Sequence, residues 1–262
     1  MSTAQPASEG IIQLHLQRAG HRFSAWFAFI RVAEFGRLST TAADFLSEQE
    51  LAYFQQRKFP RRQQSYLLGR YAAKLAASQY LSEPALKQID IYPGVFHQPL
   101  VRHTSADTPG VSLSHCADLA VALAFPAGHP MAVDVEPVDT SRVATIKSQL
   151  TPMEMKWAEV NRNEDAEQCA LIWTAREALS KVLHCGLTTP SETLALAQMK
   201  SHRDQRYEIT YSNFAQYKCL SWVTARHALS IVLPKRTTLR AETDLAGVIE
   251  SFAPPFPLAL NA

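Results

Sequence analysis

The sequence predicts an α+β protein built from two similar subdomains, and two repeated patterns carry this prediction. Two motifs, Ser47-x-x-Glu50 and Thr151-x-x-Glu154, each predict the start of a helix. In such a motif the hydroxyl caps the helix and the glutamate reaches back to the capping residue. Each motif is followed, at nearly the same separation, by a predicted β-hairpin, over 111–125 and over 219–233. This recurrence indicates an internal duplication.

The other elements are predicted from composition and from the positions of Pro and Gly, which interrupt helices and strands. Runs rich in Ala and Leu predict long helices over 63–81 and 167–183, and apolar runs predict opening strands over 11–16 and 25–32. The Pro- and Gly-containing stretch 126–130 predicts the crossing between the halves. The predicted organisation is an N-terminal tail over 1–10, subdomains over 11–127 and 128–234, and a C-terminal tail over 235–262, whose Pro-rich end is unsuited to a sheet interior.

Bulk composition excludes several classes of protein. The 262 residues include 26 Lys and Arg against 24 Asp and Glu, and a net charge of +2 argues against binding to nucleic acid or to an anionic membrane. The longest apolar stretch is too short to cross a bilayer, and the first ten residues lack the pattern of a secretory signal. The four cysteines show no Cys-x-x-Cys spacing, which favours reduced, buried thiols. We therefore expect a cytoplasmic protein.

A pair of acids is the first candidate for chemistry. Asp134 and Glu136 lie in a predicted strand over 131–137, where the strand period places both carboxylates on one face. Paired carboxylates repel each other unless a cation joins them, and oxygen ligands suit Mg²⁺ or Mn²⁺. The alternative is an exposed edge strand with two solvated acids.

The second long helix carries a matching stripe. Trp173, Glu177 and Lys181 are spaced four residues apart and share one helix face. An ordinary surface ion pair between Glu177 and Lys181 is the alternative interpretation. The charge is also divided along the chain, because 51–82 contains six basic residues and no acid, whereas 134–177 is acidic. This division suits a phosphate-bearing ligand that meets arginines on one side and a metal on the other, although a solvated basic helix face would explain it too. No P-loop, His-Glu-x-x-His or Gly-x-Ser-x-Gly motif is present.

Taken in order, these motifs resemble the 4′-phosphopantetheinyl transferases of the larger, surfactin-synthetase-activating type. The resemblance runs from about residue 46 to residue 189. It rests on the basic segment 57–62, Leu67-Leu68-Gly69-Arg70, Pro99, Ser112-Leu113-Ser114-His115, Val133-Asp134-Val135-Glu136 and Trp173-Thr174-Ala175-Arg176-Glu177-Ala178-Leu179-Ser180-Lys181.

The resemblance implies a fold of two α+β halves with the site between them, and an activity of the holo-[acyl-carrier-protein] synthase type. Such an enzyme transfers phosphopantetheine from coenzyme A to a serine of an apo carrier protein and releases adenosine 3′,5′-bisphosphate. The implied metal ligands, for Mg²⁺ or Mn²⁺, are Asp134, Glu136 and Glu177. The implied catalytic residues are Glu177 as general base, Lys181 at the pyrophosphate, and Asp134. The implied coenzyme A contacts are Arg57, Arg62, Arg70, Gln98, Pro99, Ser114, His115 and Lys181.

The sequence departs from the family pattern at three positions. Gln98 replaces a lysine that contacts phosphate, Arg176 stands where lysine is commoner, and Ala132 replaces a frequent glycine. The implied partner is an acyl, peptidyl or polyketide carrier protein, bound by a monomer of this chain. A noncatalytic relative that binds coenzyme A or a carrier, and a Mg²⁺-dependent nucleotide hydrolase, are the alternatives.

Overall fold

The structure is a computed structural model that describes residues 7–159, 165–202, 206–240, 245 and 247–248. In the first half of the chain the elements are β1 (Glu9–Arg18), β2 (His21–Arg31), α1 (Phe35–Thr40), α2 (Ala42–Phe45), α3 (Glu48–Gln55), α4 (Pro60–Leu81), β3 (Asp90–Pro93), β4 (Pro99–Arg102), β5 (Gly110–His115) and β6 (Leu119–Phe125). In the second half they are β7 (Ala132–Pro137), α5 (Val143–Lys147), α6 (Pro152–Ala158), α7 (Asp165–Leu183), β8 (Leu196–Ser201), β9 (Arg206–Tyr211), β10 (Tyr217–Val223), β11 (His227–Pro234) and β12 (Thr238–Arg240). The predicted α+β class is confirmed.

Both predicted capping motifs begin a helix. The hydroxyl of Ser47 accepts a hydrogen bond from the backbone N–H of Glu50, whose carboxylate accepts the N–H of Ser47 at 2.9 Å. Thr151 and Glu154 make the same reciprocal pair at the start of α6, where the carboxylate accepts the N–H of Thr151 at 2.8 Å. Each arrangement satisfies two backbone donors that a helix otherwise leaves without partners.

The two motifs are related in three dimensions as well as in sequence. Glu50 also accepts the backbone N–H of Ile91 in β3 at 3.1 Å, and Glu154 accepts that of Leu196 in β8 at 3.0 Å. Each glutamate therefore ties a short helix to the first strand after the long helix of its own half. This shared construction supports the duplication that the sequence predicts.

The described strands form two five-stranded sheets and one two-stranded ribbon. The first sheet has the order β12-β1-β2-β6-β5, the second has the order β7-β11-β10-β9-β8, and β3 pairs with β4. All the neighbouring strands pair antiparallel. Both predicted hairpins are present, as β5 with β6 and as β10 with β11.

The two sheets pack face to face between two layers of helix. Leu14, Phe27 and Leu123 of the first sheet share one core with Leu229 and Ile231 of the second. The opposite face of the first sheet packs on α4, and that of the second packs on α7. Strands β6 and β11 are covered on both faces, and every residue in them is buried. Continuous apolar runs are typical of strands buried on both faces.

Both predicted tails are shorter than expected. Glu9 and Gly10 already belong to β1, and Thr238–Arg240 pairs with β1 as β12. Leu245 is also buried in the core between the sheets. A strand of three residues is too short to show a period of two, which explains why the sequence did not reveal β12. The rest of the predicted tails, including the Pro-rich run 253–257, lies outside the described residues.

No helix in the described part of the chain combines the length and the apolar character that crossing a membrane requires.

Candidate active site

The site lies where the edge strands of the two sheets meet. Strand β5 of the first sheet lies against β7 of the second. The hydroxyl of Ser112 accepts the backbone N–H of Val133 at 3.1 Å, which joins the two strands. Val133 and Val135 point into the core between the sheets, and Asp134 and Glu136 alternate with them. The strand period therefore places the two carboxylates on one side, as predicted.

Asp134 is the most buried of the three candidate metal ligands, with 3% of its surface exposed. The hydroxyl of Ser114 and the ammonium group of Lys181 both donate to its Oδ1 atom, each at 2.7 Å. Its Oδ2 atom is buried and has no hydrogen-bond partner among the residues that the structure describes. One oxygen of this carboxylate is therefore held in place, and the other is available to a ligand.

Lys181 joins α7 to both edge strands. Besides Asp134, its ammonium group donates to the carbonyl oxygens of Leu113 in β5 and Val133 in β7, each at 3.2 Å. It also lies close enough to Glu177 to affect the titration of that carboxyl group. Two residues of the predicted stripe, Glu177 and Lys181, therefore face the junction of the sheets, whereas Trp173 packs against the core under this helix. Lys181 does more than form a surface ion pair.

Glu177 lines the cavity at this junction. Burial raises its pKa to about 7, and the negative charges of Asp134 and Glu136 act in the same direction, against the opposing charges of Lys181 and Arg142. A carboxyl group with a pKa near neutrality can accept and release a proton at working pH. This is the property that a general base requires.

Glu136 has a cationic partner that the sequence analysis did not identify. A guanidinium N–H of Arg142 donates to its carboxylate, and the same guanidinium lies 5.8 Å from the centre of the Trp173 ring. Burial and Asp134 nevertheless raise the pKa of Glu136, with Arg142 and Lys181 opposing them. Arg142 lies in a short helical turn, Thr140–Arg142, just after β7, and only the fold brings it to the acid.

The three acids fit a hard divalent cation. Glu136 and Glu177 have raised pKa values because each is partly buried near other carboxylates, and Asp134 has a buried oxygen with no partner among the described residues. A divalent cation would relieve both features, because it favours ionised carboxylates and binds through oxygen. These residues supply carboxylate oxygens only, a donor set typical of Mg²⁺ or Mn²⁺ sites.

The cavity beside the acids has a volume of about 390 Å³ and is lined by both halves of the chain. Arg70, Gln98 and Pro99 come from the first half, and Glu177 and Lys181 come from the second. The side-chain oxygen of Gln98 accepts the backbone N–H of Phe96 at 2.9 Å, which closes the turn between β3 and β4. Gln98 therefore lines the cavity, but its side-chain oxygen is already engaged in the turn.

A second cavity, of about 360 Å³, is lined by basic residues. Arg57, Arg62, Arg70 and His115 border it. Arg70 also lines the first cavity, so one guanidinium is shared by the two spaces. The predicted basic side of the site is therefore assembled, and it adjoins the acidic side.

Arg57 is held in place by aromatic side chains. Its guanidinium donates to the hydroxyl of Tyr53 at 2.7 Å and lies 4.5 Å from the centre of that ring and 5.1 Å from the ring of Tyr66. The guanidinium of Arg70 lies 4.9 Å from the centre of the same Tyr66 ring. Stacking orients the Arg57 guanidinium without neutralising its charge, which leaves it able to bind an anion. Arg70, in contrast, also lies 3.7 Å from the carboxylate of Glu50.

His115 is exposed at the end of β5, beside the second cavity. Partial desolvation of the ring and the nearby charge of Lys181 lower its pKa below the usual 6.5. The ring is therefore neutral at pH 7 and can offer one hydrogen-bond donor and one acceptor. Such a group is better suited to contact a nucleobase or a sugar than a phosphate.

Three polar residues make contacts that the sequence did not reveal. Ser114, expected beside coenzyme A, is buried and directs its hydroxyl to Asp134. Lys74 of the basic segment is fully buried against Glu50 at 2.6 Å and therefore does not belong to a solvated or ligand-binding face. Arg176, next to Glu177 in sequence, points away from the cavity into a buried pair with Glu154. Long-range partners of this kind leave no signal in local sequence.

The raised pKa of Glu177 predicts a pH dependence. The pKa of Glu177 is higher in the folded protein than the usual 4.5, so the folded state holds this proton more tightly than the unfolded state does. The free energy of unfolding is therefore expected to fall as pH rises from about 4.5 to about 7. We expect a ¹³C-carboxyl resonance that titrates near pH 7, is missing in Glu177→Gln, and shifts to lower pH when Mg²⁺ is added. A midpoint near 4.5 without metal would contradict this account of the site.

One family model matches part of the chain. Residues 130–232 match the model of the 4′-phosphopantetheinyl transferase superfamily. This segment holds Asp134, Glu136, Glu177 and Lys181. No curated protein matches the chain.

Solved structures of similar proteins include several holo-acyl-carrier-protein synthases. The enzyme from Bacillus anthracis, in complex with coenzyme A (3′,5′-ADP), is 20% identical, with a TM-score of 0.35, over 44% of this chain and 96% of that one. The enzyme from Plasmodium yoelii is 16% identical, with a TM-score of 0.34, over 46% and 97%. The enzyme from Thermotoga maritima is 21% identical, with a TM-score of 0.32, over 52% and 74%.

Proposed function

We propose that this protein transfers 4′-phosphopantetheine from coenzyme A to a serine of an apo carrier protein. The observation that carries the proposal is the cavity at the junction of the sheets, where Glu177 and Lys181 face an arginine-lined space shared through Arg70. A ligand with a pyrophosphate and a third phosphate could place one group beside the acids and the other beside the arginines. The match of residues 130–232 to the superfamily supports the same chemistry.

In the proposed reaction the serine oxygen attacks the β-phosphorus of coenzyme A. The bond from that phosphorus to the bridging oxygen breaks, and adenosine 3′,5′-bisphosphate leaves with the bridging oxygen. Glu177 takes the serine proton. Lys181, whose three N–H groups donate to Leu113, Val133 and Asp134, would place a positive charge beside the leaving phosphate.

Asp134, Glu136 and Glu177 would hold Mg²⁺ or Mn²⁺, which when bound neutralises charge on the pyrophosphate. Ser114 and Lys181 fix one oxygen of Asp134, so that the carboxylate keeps its direction with or without the ion. Arg142 plays the same part for Glu136. We propose that the protein works as a monomer, since both sides of the site come from one chain. We also propose that it works in the cytoplasm, where free cysteines are expected to stay reduced.

The test is intact-protein mass spectrometry of apo carrier proteins incubated with this protein, coenzyme A and Mg²⁺. We expect one phosphopantetheine to be added, and the addition to stop in EDTA. A panel of fatty-acid, polyketide and peptide-synthetase carriers ranks the partners. Bound coenzyme A without transfer to any carrier would favour a noncatalytic binding protein, and turnover without an acceptor would favour a hydrolase.

The basic segment beside the second cavity predicts where the carrier binds. Reversing Arg61 and Arg62 to Glu is expected to raise the KM for an acidic carrier by about tenfold, because charges at the rim of an interface steer association. Arg62 also borders the second cavity, so the Arg61→Glu variant alone separates carrier binding from coenzyme A binding. The matched control reverses Lys235 and Arg236, an exposed adjacent pair in the second half. An unchanged KM for the carrier would remove this segment from the interface.

A further inference from the structure

A second group of metal-binding side chains lies where two equivalent hairpin turns meet. Cys116 and Asp118 belong to the turn between β5 and β6, and His227 is the first residue of β11, just after the corresponding turn of the other half. The Sγ atom of Cys116 lies 3.2 Å from Oδ1 of Asp118, and Nε2 of His227 lies 2.9 Å from the same oxygen. Within the described parts of the chain, these three residues form a group whose ligand atoms all lie within 4.8 Å of one another.

We propose that Cys116, Asp118 and His227 bind one zinc ion. Sulfur, imidazole nitrogen and carboxylate oxygen are the ligands that Zn²⁺ takes in proteins, and bonds of about 2.0–2.3 Å in a tetrahedron separate the ligand atoms by about 3.3–3.7 Å. The separations of 3.2 and 2.9 Å are slightly shorter than these values, and the third, between Sγ and Nε2, is no more than 4.8 Å. Small side-chain movements are enough to admit the ion, with water as the fourth ligand.

The backbone around the group is fixed by hydrogen bonds. The N–H of Cys116 donates to the carbonyl of Leu119 at 2.8 Å, and the N–H of Val32 donates to the carbonyl of Asp118 at 2.9 Å. On the other side, the N–H of Thr224 donates to the carbonyl of His227 at 2.9 Å. His227 is buried, with 2% of its surface exposed. The ligands are thus presented by two rigid turns rather than by flexible loops.

Charge and protons balance for this site. Without a metal, burial and the charge of Asp118 raise the pKa of the Cys116 thiol to about 12, so the sulfur keeps its proton. Zinc binding releases that proton to solvent, and the imidazole keeps one proton on the ring nitrogen that does not bind. The thiolate and the carboxylate then offset the two charges of the ion, which leaves a neutral centre beside Arg31, a residue that interacts with Asp118.

The ligand atoms distinguish this site from the candidate active site at the junction of the sheets. The acids there offer carboxylate oxygens, which suit Mg²⁺, whereas a thiolate and an imidazole favour zinc. A zinc ion here would join the two halves of the chain directly, next to His115. Because it would bind the folded chain through residues from both halves, it would stabilise the arrangement of the halves. The site is independent of the transferase proposal.

The test uses the full chain after removal of metal with EDTA and dialysis, with Zn²⁺ and Co²⁺ as probes. We expect one Zn²⁺ per chain in competition with a chromophoric chelator, a higher Tm with zinc, and a thiolate-to-cobalt charge-transfer band with Co²⁺. Cys116→Ser keeps the size of the side chain and a hydrogen-bond donor, and it should weaken zinc binding at least tenfold and remove the band. His227→Gln is the second variant, should the first fail to fold.

Cys185→Ser is the matched control, because Cys185 is a half-buried thiol like Cys116 but lies outside the group. It should bind Zn²⁺ like the original chain and keep the cobalt band. The cobalt band is decisive because Asp134, Glu136 and Glu177, which have no sulfur, cannot produce it. The proposal is overturned if the original chain gives no such band, or if Cys116→Ser binds zinc as tightly as the original chain does. Either result would leave the three residues as a hydrogen-bonded junction between the turns.

Discussion

Replacing Glu177 by glutamine is expected to lower kcat/KM for phosphopantetheine transfer by about 10³-fold, within the range that a positioned general base contributes. Glutamine keeps the size and the hydrogen-bonding ability of the side chain but cannot accept the serine proton. It also removes one of the three carboxylates that would hold the metal. The change should be measured as the initial rate of holo-carrier formation by intact-protein mass spectrometry.

The same substitution is expected to leave the fold intact. The carboxyl of Glu177 is partly buried near Asp134 and Glu136, and its raised pKa shows that its charge is unfavourable there. A neutral side chain removes this repulsion, so the free energy of unfolding at pH 8 should stay the same or increase. The control is Glu192→Gln, an exposed acid of the same half, which should keep full activity. Full transfer activity in Glu177→Gln would contradict both roles assigned to Glu177.

Much of the fold could be predicted because its strongest signals are local. The capping motifs, the Pro at the start of α4 and the Ala- and Leu-rich composition identify the helices that pack on the sheets. The alternation of Val and acid in β7 correctly places Asp134 and Glu136 on one side. The repeat of these signals then predicts the two similar halves, which the equivalent bonds of Glu50 and Glu154 support.

The contacts that assemble the site could not be predicted, because they join residues far apart in sequence. Lys181 meets the carbonyl of Leu113 in the other half, and Ser114 meets Asp134 across the junction of the sheets. Nothing near Arg142 indicates that it pairs with Glu136, or that His227 meets Asp118. The resemblance to a family supplied the roles of several residues, but it assigned Ser114 to the ligand, whereas its hydroxyl binds the acid.

Replacing Arg176 by methionine is expected to destabilise the protein by about 3–5 kcal/mol, because it leaves a buried carboxylate without its counter-ion. The Nε–H of Arg176 donates to Oε1 of Glu154 at 3.0 Å, and a second guanidinium N–H donates to Oε2. A third N–H donates to the carbonyl of Gln149 at 2.9 Å. The side chains of the pair are 3% and 0% exposed. The loss should be measured by urea unfolding at pH 7.

The matched control is Lys147→Met, which breaks the ion pair with Asp165 on the same face of the second half. Those side chains are 22% and 28% exposed, and a pair so accessible to water is worth about 1 kcal/mol or less. If Arg176→Met costs no more than this control, the buried pair does not hold α6 and α7 together.

A double variant separates the charge from the packing. Glu154→Gln combined with Arg176→Met removes the isolated negative charge, so it should be more stable than Arg176→Met alone. The N–H groups of Thr151 and Leu196 donate to different oxygens of the carboxylate, so the single glutamine oxygen can keep only one of them, which preserves either the cap or the link to β8. Arg176→Lys keeps a cation but loses the two-pronged contact, and we expect an intermediate loss. Helix α7 carries both Glu177 and Lys181, so we also expect an effect on transfer. The transfer rate of these variants should fall only in proportion to the fraction of protein that is folded. That result would identify Arg176 as a residue that supports the site without touching the ligand.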